Sequence, residues 1–221
     1  MDILLIGGLW LDGTAWDAVT PVLDELGHRP RPLTLPAAPA TTLDEQLAAV
    51  LAAVDAADGP VMVVAHSAHC TLGWLAADAR PEKVASVALV GGFPQQDGAA
   101  YADFFEIRDG VMPFPGWGPF EGPESADLDE SLRQQIAADA VPVPEPVARA
   151  VVRFTDPRRH DVPIAMVCAE YTPDQVRDWV AGGHAPELAH AKHVEYLDLD
   201  SGHWPMFSRP TELARLLAAL A

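Results

Sequence analysis

The sequence has 221 residues, 49% of them hydrophobic and 21% charged, which fits one α/β domain that carries an insertion. Its 32 acidic residues outnumber 14 basic ones, and the resulting net charge of −18 argues against nucleic acid or anionic membrane as a partner, because both would repel it. The chain has no signal-peptide pattern at its start and no apolar run long enough to span a bilayer, so we expect a cytoplasmic protein.

The first part of the chain alternates short apolar runs with alanine-rich stretches, the pattern of a mainly parallel sheet covered by helices. Thr14 is a candidate N-cap, and Thr42 and Glu45 have the spacing of a capping box. The predicted elements are a buried strand at 2–6, a helix at 14–26, an edge strand at 28–35 and a helix at 42–57.

Two glycines follow the first strand, in the run Gly7-Gly8-Leu9-Trp10. A glycine pair at the C-terminal end of a strand lets the backbone approach a ligand closely. The N–H of Leu9, or that of Trp10, is therefore a candidate hydrogen-bond donor to an oxyanion, and Trp10 is a candidate substrate contact. The alternative is a simple tight turn.

A fully apolar strand at 61–65 leads almost directly into Ser67, and a helix is predicted over 68–79. This is the context of a nucleophile elbow, a sharp turn that lifts a serine hydroxyl out of the end of a strand. The start of the helix directs backbone N–H groups, here that of Ala68, toward an oxygen that gains negative charge. The alternative is that Ser67 only caps the helix.

Two residues depart from the usual G-x-S-x-G spelling of that elbow, because Ala65 and His69 stand at the glycine positions. Histidine is large where the helix must pack close to the strand, so we expect either a more open turn or a His69 side chain that lines the substrate pocket. A zinc site at His66 and His69 would need a further ligand, and the spacing offers none, so we predict no metal and no cofactor.

Further along the chain, the same alternation predicts strands at 84–90, 164–168 and 194–199 and a closing helix at 211–220, with Cys168 packed in the core. Prolines and glycines interrupt it between 94 and 160, yet this stretch has too many aromatic residues for a solvated linker. We therefore predict a core of residues 1–93 and 161–221 and a cap at 94–160. The cap aromatics are Tyr101, Phe104, Phe105, Phe114, Trp117 and Phe120, with Phe104 and Trp117 as candidate substrate contacts.

A histidine follows the last predicted strand, in the run Gly202-His203-Trp204. Active sites of open parallel sheets lie at the C-terminal ends of the strands. A loop in that position can bring His203 to Ser67, where the imidazole would act as the base for the hydroxyl.

These motifs together resemble the α/β-hydrolase superfamily, and within it the small esterase and hydroxynitrile-lyase-like group, over nearly the whole chain. Gly7-Gly8 stands where that group usually has His-Gly, Ser67 stands at the elbow, and His203 with the later Arg209-Pro210 and helix stands at the histidine. The resemblance implies an α/β-hydrolase fold with an inserted cap and a functional Ser67–His203 pair.

The acid that the family usually provides is missing from its usual position. Relatives spell this stretch like Gly-Glu-x-Asp-Pro, and here Thr172 stands at the aspartate. We favour Glu170, because an extended chain directs residues two apart to the same face and its side chain is longer. Asp174 is the second choice, although a position in the first turn of a helix explains it equally well. Asp97, or a pair oriented by a neutral group such as Thr172, remain as alternatives.

The favoured function is hydrolysis of a small apolar or aromatic carboxylic ester or lactone, with a small-molecule substrate as the partner. Ser67 would attack the carbonyl, and the Leu9 and Ala68 N–H groups would hold the oxyanion. One alternative is a lyase or cyclase that uses the same serine and histidine, and another is an inactive relative that binds a small ligand. All three would use the same pocket.

Overall fold

The computed structural model describes residues 1–221 and contains a six-stranded sheet in which every neighbouring pair of strands is parallel. The strands lie in the order β2-β1-β3-β4-β7-β8, and a separate antiparallel pair joins β5 to β6. Their bounds are β1 Asp2–Ile6, β2 Arg29–Leu33, β3 Val61–His66, β4 Val84–Val90, β5 Val111–Met112, β6 Val143–Pro144, β7 Ile164–Cys168 and β8 Val194–Asp198.

Helices connect and cover these strands. The α-helices are α1 Thr20–Glu25, α2 Leu43–Asp55, α3 Cys70–Ala79, α4 Glu130–Asp139, α5 Glu145–Ala148, α6 Pro173–Ala181, α7 Pro186–His190, α8 Pro205–Ser208 and α9 Pro210–Leu220. Short 3-10 helices lie at Gly13–Trp16, Ser67–His69, Gly118–Phe120 and Pro157–Asp161. No helix combines the length and the hydrophobicity that crossing a lipid bilayer requires.

The sheet separates two hydrophobic cores, because successive side chains of a strand point to opposite faces. Leu4 and Ile6 of β1 belong to the larger core with α2, α3 and α6, whereas Ile3 and Leu5 belong to the core with α1 and α9. Strands buried on both faces explain why the runs at 61–65 and 164–168 are apolar without alternation. The predicted α/β fold with a mainly parallel sheet is confirmed.

Most predicted elements lie within one or two residues of their predicted bounds. The proline-containing strand β2 is at one edge of the sheet, and Thr42 and Glu45 form the predicted capping box at the start of α2. Cys168 is buried in the core as predicted.

The predicted helix at 14–26 is wrong. The chain forms a 3-10 turn over Gly13–Trp16, and α1 begins only at Thr20. Asp12, not Thr14, caps the turn by accepting a hydrogen bond from the Thr14 N–H. Pro21 has no N–H to donate within a continuous helix. It is tolerated in the first turn of α1, where the N–H groups have no partner in the helix.

Candidate active site

Ser67 sits at the turn between β3 and α3 in a strained conformation, with a φ of +56°. Two glycines that flank it in space make room for this turn. A Cβ on Gly8 would lie 3.1 Å from the Ser67 Cβ, and a Cβ on Gly92 would lie 2.6 Å from the Ser67 carbonyl oxygen. The close approach of helix and strand occurs at Gly73, whose Cβ would lie 2.8 Å from that of Ala65. The helix therefore packs against the strand without a glycine at position 69.

A chain of hydrogen bonds runs from Ser67 through His203 to Glu170. The Ser67 Oγ lies 2.9 Å from His203 Nε2, and His203 Nδ1 lies 2.7 Å from Glu170 Oε1. A carboxylate can only accept, so Nδ1 carries the proton, and in a neutral imidazole Nε2 is then free to accept from the serine hydroxyl. This is the tautomer that a general base for Ser67 requires.

The other residues considered for the acid position lie elsewhere. Asp174 is 91% exposed and pairs with Arg177 at 2.7 Å. Asp97 accepts a hydrogen bond from the Phe154 backbone N–H. Thr172 caps α6, where its hydroxyl accepts from the Gln175 N–H. Glu170 is the carboxylate in contact with the histidine.

Leu9 and Ala68 present backbone N–H groups beside Ser67, and neither N–H donates to a carbonyl oxygen of a loop or turn. Leu9 lies in the loop after β1, and Ala68 lies in the first turn after the serine. Gly8 lets the Leu9 loop approach, since a Cβ there would lie 2.6 Å from the His66 Nδ1. These two N–H groups are available to an oxygen of a bound ligand.

His66 contacts His203 through both its ring and its Nε2. Its Nε2 donates a hydrogen bond to the carbonyl oxygen of His203 at 2.7 Å, and the two imidazole centroids are 4.8 Å apart. Burial, reinforced by the nearby His203, holds the pKa of His66 well below its usual value. His66 is therefore neutral and acts as a fixed donor that orients the His203 backbone.

His69, predicted as a substrate contact, is not part of the lining of the cavity above Ser67. Its ring turns toward the end of β1, where Nδ1 donates to the Gly7 carbonyl oxygen at 2.5 Å. Burial lowers its pKa to about 4. The imidazole therefore anchors the glycine turn that carries Leu9, which gives the large side chain at this elbow position a structural role.

A cavity of about 230 Å³ opens above Ser67. Trp10 and Phe104, two of the residues predicted to contact a substrate, are part of its lining. Trp117 is not, because it packs behind the wall against Trp204 and donates its indole N–H to the Arg133 carbonyl. Several other residues of the wall were not predicted from the sequence. The full lining is Leu9, Trp10, His66, Ser67, Phe104, Phe105, Phe120, Glu124, Glu170, His203 and Trp204.

The segment at 124–127 holds the loop that carries His203. The His203 N–H donates to the Glu124 carbonyl oxygen at 2.7 Å, and the Gly202 N–H donates to Asp127 Oδ2 at 2.7 Å. A Cβ on Gly202 would overlap both the Asp127 carboxylate and the Glu124 carbonyl. No local sequence pattern indicates these contacts, because they join residues far apart in the chain.

One group of side chains outside the site has metal-ligating chemistry. Potential ligand atoms of His160, Glu187 and His190 lie within 4.8 Å of one another. Glu187 is buried and already accepts hydrogen bonds from Arg159 at 3.1 Å and from Trp74 at 3.0 Å. Glu187 therefore belongs to a buried ion-pair network with Arg159 and Asp78.

The sequence was compared with protein families and with characterised proteins. A sequence model described as the α/β hydrolase family matches residues 3–216. Lipase LipV of Mycobacterium tuberculosis (strain ATCC 25618 / H37Rv) is 26% identical over 250 aligned positions, which cover 97% of this chain and 91% of the lipase.

Two solved structures have the same fold at low sequence identity. An extracellular α/β-hydrolase from a Paenibacillus species, described as sharing structural and functional homology with tobacco salicylic acid binding protein 2, aligns with a TM-score of 0.77 and 16% identity over 99% of this chain and 98% of its own. The methylesterase MES16 from Arabidopsis aligns with a TM-score of 0.73 and 16% identity over 100% of this chain and 98% of its own.

Proposed function

We propose that this chain, which belongs to the α/β hydrolase family, hydrolyses small apolar or aromatic carboxylic esters or lactones with Ser67 as nucleophile. The observation that carries the proposal is the continuous hydrogen-bonded chain from the Ser67 hydroxyl through His203 to Glu170. A serine that only capped a helix would need neither partner. The lipase and esterase names among its relatives agree with a hydrolase.

The reaction follows from the positions of these groups. As the Ser67 Oγ bonds to the carbonyl carbon, its proton passes to His203 Nε2, and the imidazolium is stabilised by Glu170. The carbonyl oxygen becomes an oxyanion that accepts hydrogen bonds from the N–H groups of Leu9 and Ala68. Collapse of this tetrahedral intermediate breaks the ester bond, and the leaving alkoxide takes the proton from His203 Nε2. Water, deprotonated by His203, then releases the acid and restores the Ser67 hydroxyl.

The cavity supports a small substrate. Its volume of about 230 Å³ lies below the range of drug-sized ligand pockets, and aromatic side chains form much of its wall. Phe104, Phe105, Phe120 and Glu124 all come from the segment 94–160, which we propose acts as a cap over the C-terminal ends of the strands. The side chains of this segment would select the shape of the substrate, whereas the loops at the ends of the strands would provide the residues that react.

Active-site labelling with a fluorophosphonate, read by intact mass, tests the proposal. We expect one adduct per chain on the wild type and none on Ser67→Ala, with labelling slowed by at least about 10²-fold in His203→Ala. Ser208→Ala, which removes a hydroxyl outside the cavity lining, is the matched control and should label like the wild type. Failure of the folded wild type to label would contradict the proposal and favour a lyase or a ligand-binding relative.

A further inference from the structure

One carboxylate in the wall of the cavity is not used by the hydrolytic mechanism. Glu124 is half-buried beside His203, and its side chain forms no hydrogen bond or salt bridge within the protein. Its backbone carbonyl holds the His203 N–H, which fixes the residue at the wall. Burial raises the pKa of the Glu124 carboxyl; the nearby His203 opposes that shift and Glu170 adds to it.

No lysine or arginine balances that charge, and the neighbouring His203 is a cation only when it is protonated. The cavity lining contains no lysine or arginine, and Glu170 is already engaged by His203. A half-buried anion without a partner loses part of its hydration, and no hydrogen bond or ion pair compensates for that loss. A cationic group placed in the cavity would remove this cost, and the interaction would be stronger than in bulk water because the local dielectric is lower.

The aromatic walls favour the same ligand chemistry. Trp10 lies with its ring centroid 5.5 Å from that of Phe105 and 6.0 Å from that of Phe120, and Phe120 lies 5.3 Å from Trp204. All four rings line the cavity. The faces of aromatic rings attract organic cations, which is the basis of quaternary ammonium recognition by aromatic cages.

We propose that Glu124 and these four aromatic side chains form a subsite for an organic ammonium group, so that the preferred esters carry a positive charge near the scissile carbonyl. This inference rests on the proposed function, because it assigns a substrate class to the same cavity. It also implies that esters carrying a carboxylate are rejected, since a second anion would face Glu124 with no counter-charge.

Binding of a charged ligand and its uncharged isostere tests the subsite directly. Choline and 3,3-dimethylbutan-1-ol have nearly the same shape and differ in the positive charge. Their dissociation constants would be measured by calorimetry on the wild type, on Glu124→Gln and on Glu121→Gln. The glutamine at 124 keeps the backbone bond to His203, and Glu121 is an exposed glutamate three residues away that is not part of the cavity lining.

We expect the wild type and Glu121→Gln to bind choline at least about 10-fold more tightly than the alcohol, and Glu124→Gln to lose most of that preference. Equal affinities in the wild type, a preference that survives in Glu124→Gln, or no binding of choline would each overturn the subsite. Binding is read without turnover, so a failed subsite is distinguished from failed hydrolysis by fluorophosphonate labelling of the same samples.

Discussion

At the scale of single residues, the site depends on a few atoms held in fixed positions. Ser67 has a φ of +56°, which costs on the order of 1–3 kcal/mol for a residue with a side chain. The surrounding contacts stabilise this geometry: His66 holds the His203 backbone, and His69 holds the carbonyl oxygen of Gly7. The strain lifts the hydroxyl to the histidine, which links the backbone conformation to the proposed chemistry.

Substitution of Glu170 tests its role as the residue that orients His203. Glu170→Gln keeps the size of the side chain but favours the wrong histidine tautomer, so we expect kcat to fall on the order of 10²–10⁴-fold with little change in KM or Tm. Ester hydrolysis would be measured together with the pH profile, and Glu170→Asp should restore part of the rate.

Asp174→Asn is the matched control for that substitution, because it removes a carboxylate from the same segment at a site 91% exposed. It should retain wild-type kcat. Loss of activity in Asp174→Asn, with Glu170→Gln unaffected, would show that Asp174 and not Glu170 is the acid.

At the scale of elements, the predictable parts of the site are those that belong to one continuous segment. The strand, Ser67 and helix at 61–79 follow one another in the sequence, and the elbow could be predicted from that order. The roles of Gly92 and Glu124 could not, because each depends on a contact between distant segments. The contact of His69 with Gly7 could not be predicted for the same reason, since Gly7 follows a different strand.

The contact between the segment 124–127 and the loop that carries His203 can be tested by substitution. Gly202→Ala would force the loop away from Asp127 and Glu124, because the added Cβ has no room. Overpacking of this kind costs roughly 1–3 kcal/mol, so we expect a lower Tm and a fall of at least 10-fold in kcat/KM for an ester.

Gly59→Ala is the matched control, since nothing lies within 4 Å of a Cβ at Gly59. It should leave both Tm and kcat/KM within error of the wild type. A Gly202→Ala variant with normal kinetics would show that the loop does not need this contact to hold His203.

At the scale of the whole molecule, two cores on either face of one parallel sheet could be predicted from the unalternating apolar runs. The layout of the 94–160 segment could not, because prolines and glycines leave no periodic pattern from which to read α4 or the β5–β6 pair. The fold class can therefore be predicted from composition and from the spacing of apolar residues. The shape of the cavity depends on contacts between segments that are distant in the sequence.

Buried neutral histidines make the stability of the whole fold depend on pH. The pKa of His69 is about 4 in the fold, against about 6.5 in the unfolded chain, so the unfolded state binds more protons between these values. The free energy of unfolding should therefore fall as the pH decreases from about 6.5 toward 4, by up to about 3 kcal/mol from His69. His66 acts in the same direction.

Urea unfolding at several pH values measures this dependence. His69→Asn, whose amide can still donate to Gly7, should lose less stability between pH 6.5 and 4 than the wild type. The exposed His184→Asn should follow the wild type. Equal slopes for all three proteins would exclude a contribution from His69.

Trapping the covalent intermediate tests whether Ser67 is the nucleophile. Acid quench during turnover of p-nitrophenyl acetate, followed by peptide mass spectrometry, would locate any acyl group on the chain. The account predicts an acetyl group on Ser67 in the wild type and neither adduct nor turnover in Ser67→Ala. Hydrolysis that continues at the wild-type rate in Ser67→Ala, or an acyl group on another residue, would contradict it.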